Sequence, residues 1–335
     1  MTETLLAPPA GGLADPAALV LDATGISVSF PRSGGGASTV VSNLGLGLEK
    51  RQVTVLLGES GSGKSVFARA VTGLAARTAT VSGTSYFDGV DLIGAPASRL
   101  RMLHGDRIGM VPQDPNSSLD PMRRIGSQIV ETLLQHRQCP SRAAAKLRAL
   151  ELLEQVQIRD AERVMRCYPH EVSGGMRQRI AIAIAISCGP ELIVADEPSS
   201  ALDAAVGAHV VGLLDDLRNR LHTAILFITH DIGVATLIAS QAQDRVAVML
   251  GGQIVELGYA PDVLRAPRHE YTRALLAAEP SAGVPRGGLA VVPDSVRMRR
   301  DWGTLHEVAR GHAVADGSVV SVGSDGPDGA QEEAA

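Results

Sequence analysis

The chain runs to 335 residues with 45% hydrophobic and 20% charged content, the balance of an ordinary globular protein holding one large domain or two smaller ones. A formal net charge of −5 leaves no overall basic footprint and argues against DNA or RNA as the main partner. Its three cysteines, Cys139, Cys167 and Cys188, lie far apart without a CxxC pair, which points to a reducing compartment and excludes a cysteine-built metal or disulfide framework.

Residues 1–22, rich in Ala, Pro and Gly, are expected to lack fixed structure. They carry acids where a signal peptide carries bases, so a cytoplasmic protein is expected. From Ala23 the β-branched run TGISVSF and then VTVLL (53–57) predict strands. In SYFDGVDL (85–92) Asp88-Gly89 sits between apolar pairs and reads as a tight turn. IGMV (108–111) is a further short strand.

The period changes after Pro121. IGSQIVETLL (125–134) and SRAAAKLRALELLEQVQI (141–158) space their apolar residues by three and four, Leu147, Leu150 and Leu153 among them. Both predict amphipathic helices, the second capped by Ser141. IAIAIAI (180–186) fits an alternating strand and a buried helix alike; the polar turn before it and Gly189-Pro190 after it decide for helix. It falls well short of the about 20 apolar residues of a membrane span, and no other run comes closer.

LIVAD (192–196) and AILFIT (224–229) return to strand, with a helix at 206–221 between them whose apolar face holds Val206, Val210, Leu213, Leu217 and Leu221. VAVMLGGQIVELG (246–258) predicts a hairpin closing at Gly251-Gly252. The extension 277–335 is expected to be largely irregular and its end disordered, since the last twenty residues hold five acids and no base. Helices over 114–190 interrupt a strand–helix series, which implies a helical insertion in a mostly parallel α/β core.

GESGSGKS (58–65) follows a predicted strand and precedes a predicted helix, the context that GxxxxGK[ST] requires. Its glycines let the backbone wrap phosphates with N–H groups inward, and the new helix adds its positive end. Gly58, Glu59, Ser60, Gly61, Ser62, Gly63, Lys64, Ser65 and Val66 are therefore assigned to a nucleotide. Lys64 supplies a point charge for the β- and γ-phosphates and Ser65 a hydroxyl for Mg2+. LIVADE (192–197) is a buried-type strand ending in two acids at the place where α/β sheets bind ligands. Asp196 is the candidate for holding Mg2+ and Glu197 for polarising an attacking water.

VSGGM (172–176), lying between these two motifs, resembles the LSGGQ signature of the ATP-binding subunits of ABC transporters. The resemblance covers about residues 23–276 and implies a P-loop NTPase (RecA-like) fold, with a mostly parallel core, an antiparallel β subdomain and an inserted helical subdomain. It further implies that Ser173, Gly174 and Gly175 open a helix facing the γ-phosphate of ATP held by another protomer. Two cassettes would then close head-to-tail around two ATP molecules. Gln113 in VPQDP resembles the family's Q-loop glutamine, expected to touch Mg2+ beside Ser65 and Asp196. Asp203 in SALD resembles the D-loop aspartate that communicates across the dimer, and His230 in FITHD the switch histidine at the γ-phosphate. Phe30 falls where the family stacks an aromatic on adenine; a strand-end Phe also packs in a core, and both readings stand.

The chain is most similar to the ATPases of oligopeptide, dipeptide and nickel importers, through GESGSGKSV, VPQDPNSSLDP, ADEPSSALD, THDIGVA and RHEYTRALL. What this implies is an ATP-hydrolysing motor for peptide uptake, with a nickel or metallophore importer as the alternative cargo. The implied partners are a second, non-identical ATPase subunit, two transmembrane permeases and, indirectly, an extracytoplasmic binding protein. The resemblance implies catalysis by Lys64, Glu197 and His230. It departs from the family at Val172, where Leu is usual, and in a tail that has no cysteine after Cys188 and so cannot hold the iron–sulfur segment common in relatives. A soluble ABC ATPase acting on ribosomes or DNA and a P-loop kinase are the readings from other classes.

Overall fold

Two long strands open the described chain, which comprises residues 18–278 and 302–315 of this computed structural model. β1 (Leu19–Pro31) and β2 (Ala37–Glu49) pair antiparallel. β3 (Val53–Leu57) then enters a second sheet, and after helix α1 (Lys64–Val71) the strands β4 (Thr80–Phe87) and β5 (Val90–Asp91) return to the first. The result is a four-stranded antiparallel sheet in the order β2-β1-β4-β5. Asp88 and Gly89 both have positive φ, 48° and 73°, as a two-residue hairpin turn that follows strand twist requires.

Next come α2 (Ala97–Leu103) and β6 (Ile108–Val111), followed by a run of helices: α3 (Ile125–Gln135), α4 (Arg142–Gln155), α5 (Ala161–Val164) and α6 (Gly174–Ala185). The alternating IAIAIAI thus lies mainly within a helix. Both apolar residue types suit it because the segment is buried nearly all round. The chain resumes as β7 (Leu192–Asp196), α7 (Ala204–Leu221), β8 (Ala224–Thr229), α8 (Ile232–Ile238), the hairpin β9 (Arg245–Leu250) and β10 (Gln253–Tyr259), α9 (Ala260–Arg265) and α10 (Glu270–Ala277). β11 (Leu305–Ala309) and β12 (His312–Ala315) close the described structure.

The second sheet has eight strands in the order β11-β12-β10-β9-β3-β8-β7-β6. Neighbours from β9 to β6 pair in parallel, while β10, β12 and β11 extend one edge antiparallel. Its parallel strands are buried on both faces, which is why they read as unbroken apolar runs. Val53, Val55 and Leu57, with Ile225 and Phe227, face the core shared with the helices α3 to α10. Leu56, with Leu226 and Ile228, faces a second core shared with α1 and the antiparallel sheet. No helix among the described residues is long and apolar enough to cross a membrane.

Two expectations are corrected. β1 starts at Leu19, ahead of Ala23, because Val20 and Leu21 are buried against the rest of the hairpin layer. α4 keeps its predicted cap, Ser141 accepting from the Ala144 N–H at 3.2 Å, but Leu147 is 65% exposed. Its buried face is Ala145, Ala149, Leu152 and Leu153, the small alanines allowing a close approach that leucine spacing alone does not reveal. Within the extension 277–335, of which 277–278 and 302–315 are described, β11 and β12 form a hairpin on the sheet edge. The acidic end of the chain and most of residues 1–22 lie outside the described residues.

At the end of the sheet where the parallel strands begin, Asp244 ties three elements together. One carboxylate oxygen accepts from the Val53 N–H at 3.0 Å and from Arg218 at 2.7 Å, and the other from the Gln241 N–H at 2.9 Å. Asp244 and Arg218 are both buried, so removing Asp244 strips the Val53 and Gln241 N–H groups of their acceptor and leaves the buried guanidinium to Asp215, 2.5 Å away, alone among carboxylates. We expect Asp244→Ala to lower unfolding stability by about 3–5 kcal/mol, measured by urea denaturation.

Candidate functional site

The parallel register decides which residues meet. Leu57 is opposite Thr229 and Asp196 opposite Ile228, so β3, β7 and β8 end at nearly the same level. Whatever follows those strands shares one crevice, the place where open α/β sheets bind ligands. The loop 58–65 follows β3, Glu197 follows β7, and His230 follows β8. Val111 is opposite Ala195, which brings the segment after β6, with Gln113, to the same level.

The loop is built by close approach. A Cβ on Gly58 would sit 2.2 Å from the Met249 carbonyl oxygen, and Gly63, at φ 102°, stands as the left-handed residue before α1. Lys64 is buried, and its ammonium donates to the carbonyls of Gly58 at 2.7 Å and Glu59 at 2.8 Å. Burial pushes its pKa down, against the pull of Glu197, Asp196 and Glu59. A lysine held in this way is a fixed positive charge inside a ring of backbone.

Around it the carboxylates divide. Ser65 Oγ donates to Asp196 Oδ1 at 2.6 Å, and Arg69 stands 3.8 Å from the same carboxylate. Glu197 Oε1 lies 3.0 Å from His230 Nδ1, and its Oε2 accepts from Gln113 Nε2 at 3.1 Å. Gln113 also reaches Ser200 Oγ at 3.4 Å. The amide expected beside Ser65 and Asp196 is therefore turned to Glu197 instead. Glu197 has φ 46°, a left-handed conformation that a residue with a side chain rarely adopts, and its N–H donates to the Ile228 carbonyl at 3.0 Å. Such strain persists only where the surroundings enforce it, and it clusters at functional positions.

Several predicted residues lie elsewhere on the chain's surface. Ser173 caps α6, accepting from the Met176 N–H at 3.3 Å, and is exposed. Asp203 caps α7 through the Val206 N–H at 3.0 Å. No hydrogen bond joins either to the loop 58–65 within the chain. The two glycines differ: a Cβ on Gly175 would meet Val206 Cγ1 at 2.7 Å, whereas one on Gly174 would meet nothing closer than 3.9 Å. Packing inside the chain thus accounts for Gly175 and leaves Gly174 unexplained. Phe30, next to last in β1 of the antiparallel sheet, is half-buried and packed on the second core.

Sequence reading missed three groups. Arg69 carried no separate signal, and Ser200 was read only as the first residue of SALD, without a partner or role. Tyr271 was quoted within RHEYTRALL without a role, yet its hydroxyl accepts from the Glu59 N–H at 3.2 Å.

A family profile described as ABC transporter matches residues 41–200. The dipeptide transport ATP-binding protein DppD of Lactococcus lactis subsp. cremoris is 41% identical over 275 residues, 82% of this chain and 77% of that protein. The oligopeptide transport ATP-binding protein OppD of Bacillus subtilis is 41% identical over 264 residues, 78% of this chain and 72% of that protein. Among solved structures, a dimeric post-hydrolysis state of the ATP-binding cassette MJ0796 bound to ADP and Pi aligns with TM-score 0.63 and 27% identity, over 71% of this chain and 98% of that one.

The contrast between the two glycines is measurable. Gly175→Ala is expected to destabilise the fold by about 1–3 kcal/mol through overpacking on Val206. Gly174→Ala should leave stability within about 1 kcal/mol of the unsubstituted chain, since its Cβ has room. Thermal denaturation of the two variants checks both.

Proposed function

The chain belongs to the ATP-binding proteins of the ABC transporter family, and from that premise we propose how its crevice works. It is the ATP-hydrolysing motor of a peptide importer, a role supported by relatives of about 40% identity whose names specify dipeptide and oligopeptide transport. Such a subunit acts with membrane permeases and a second cassette. We assign it to the cytoplasmic face, with a non-identical second ATPase, two permeases and an extracytoplasmic binding protein upstream.

The observation that carries the mechanism is the convergence, at adjacent strand ends, of a buried lysine in a backbone loop with a carboxylate held between His230 and Gln113. Loop 58–65 binds the triphosphate, its N–H groups and Lys64 facing the β- and γ-oxygens. The hard oxygens of Ser65 and Asp196, already 2.6 Å apart, suit Mg2+, and the ion would offset phosphate charge. Glu197 takes the proton of the attacking water. His230 orients that carboxylate and meets the γ-phosphate. Catalysis is mainly positioning and charge stabilisation in a site that closure dries.

Closure needs a second cassette. Ser173 and Gly174 stand exposed or open at the start of α6, where a helix presents unpaired N–H groups to an anion. We assign them, with Gly175 and Asp203, to the neighbour's ATP. Phe30 is assigned to the adenine side. The two-state cycle of closing on ATP and opening after hydrolysis is what permeases convert into transport.

Glu197→Gln is expected to bind ATP normally and hydrolyse it about 100-fold or more slowly, accumulating a closed dimer visible by size-exclusion chromatography with light scattering. Wild-type turnover in that variant removes Glu197 from the role of base. Gly174→Ala, stable as argued above, should lose at least about tenfold in ATPase activity while each subunit still binds ATP, because only the trans contact is blocked. Undiminished turnover in Gly174→Ala defeats the shared-site assignment.

A further inference from the structure

Helix α10 lies outside every motif assigned to ATP, yet it touches the phosphate loop. Tyr271, fully buried in its first turn, accepts through its hydroxyl the backbone N–H of Glu59 at 3.2 Å. Glu59 is also the residue whose carbonyl receives the Lys64 ammonium at 2.8 Å. Its backbone is therefore held from one side by the C-terminal segment and from the other by the lysine.

The tyrosine is itself fixed in place. His269 Nδ1 accepts the Tyr271 N–H at 3.1 Å and so caps α10. The N–H groups of Arg268 and His269 donate to the Glu256 carboxylate on β10 at 2.8 and 3.1 Å. Glu256 is fully buried, and its Oε1 also lies 2.8 Å from His312 Nε2 on β12. The Trp302 ring meets His269 edge-on at 4.8 Å between centroids. A continuous set of buried polar contacts thus runs from the extension hairpin through Glu256 and the start of α10 to Glu59.

We propose that Tyr271 is a positioning residue for the phosphate loop, through which the C-terminal segment sets ATP affinity. The inference rests on reading loop 58–65 as the ATP site. Three glycines leave that loop with large conformational freedom, and ordering it on binding weakens affinity. A buried hydrogen bond at Glu59 orders part of it beforehand. Losing one neutral hydrogen bond of this kind is expected to weaken ATP binding about 3- to 10-fold.

Tyr271→Phe keeps the ring in the core and deletes only the hydroxyl. In the full chain, with ATP and Mg2+ as the probes, KM for ATP and the equilibrium Kd should both rise about 3- to 10-fold while kcat stays within about twofold. A purely structural hydroxyl would lower the melting temperature and leave Kd unchanged, and that result overturns the proposal. Should Tyr271→Phe fail to fold, His312→Ala decides: it is linked to the loop through Glu256 and α10, so Kd should rise at least about twofold, and an unchanged Kd overturns the proposal. Lys64→Ala, measured alongside, keeps the two ideas apart. If it loses ATP while Tyr271→Phe binds as before, only the positioning role falls; if Lys64→Ala binds ATP undiminished, the phosphate-loop reading falls first.

Discussion

The structure depends on one constraint: the register of the parallel strands fixes which loops meet at their carboxyl ends. The pairing of Leu57 with Thr229 and of Asp196 with Ile228 brings separate loops to one crevice. Each strand is apolar on both faces, so a slip by one residue would exchange two cores of different shape. The site inherits its geometry from that register. Lysine, carboxylates and histidine need no contacts in sequence, because the sheet sets their spacing.

Charge is then divided within the crevice. Lys64 is deep and held by carbonyls, Asp196 is bonded to Ser65, and Glu197 is gripped by Gln113 and His230. Two neighbouring carboxylates thus have different partners and can take different roles. The left-handed backbone at Glu197 is consistent with a residue held against its own preference. In the proposed dimer the exposed start of α6 on a neighbour would supply the far side of the phosphate.

The opposite edge of the sheet carries a second polar system with a different character. Glu256, His269 and His312 are almost wholly buried and bonded to one another or to backbone. Buried polar groups of this kind rigidify a structure when every member is satisfied. Here they join the C-terminal hairpin to α10, whose Tyr271 meets the loop 58–65.

The sequence by itself determined the elements whose signals are local: strand–loop–helix at 53–65, the Asp88-Gly89 turn, the Ser141 cap, and the two acids ending LIVADE. Each rests on neighbours in the chain, and the resemblance in VSGGM and SALD placed the rest of the motifs. Only the tertiary structure decided which partners those residues hold: Gln113 on Glu197 rather than beside Ser65, Gly175 filled by Val206 while Gly174 stays open, Leu147 turned to solvent. It alone revealed Tyr271 on Glu59 and His312 on Glu256, pairs separated by 212 and 56 residues. The physical reason is that composition and periodicity report how a residue suits its own helix or strand. Contacts between distant elements follow from sheet register and packing, which no short stretch contains.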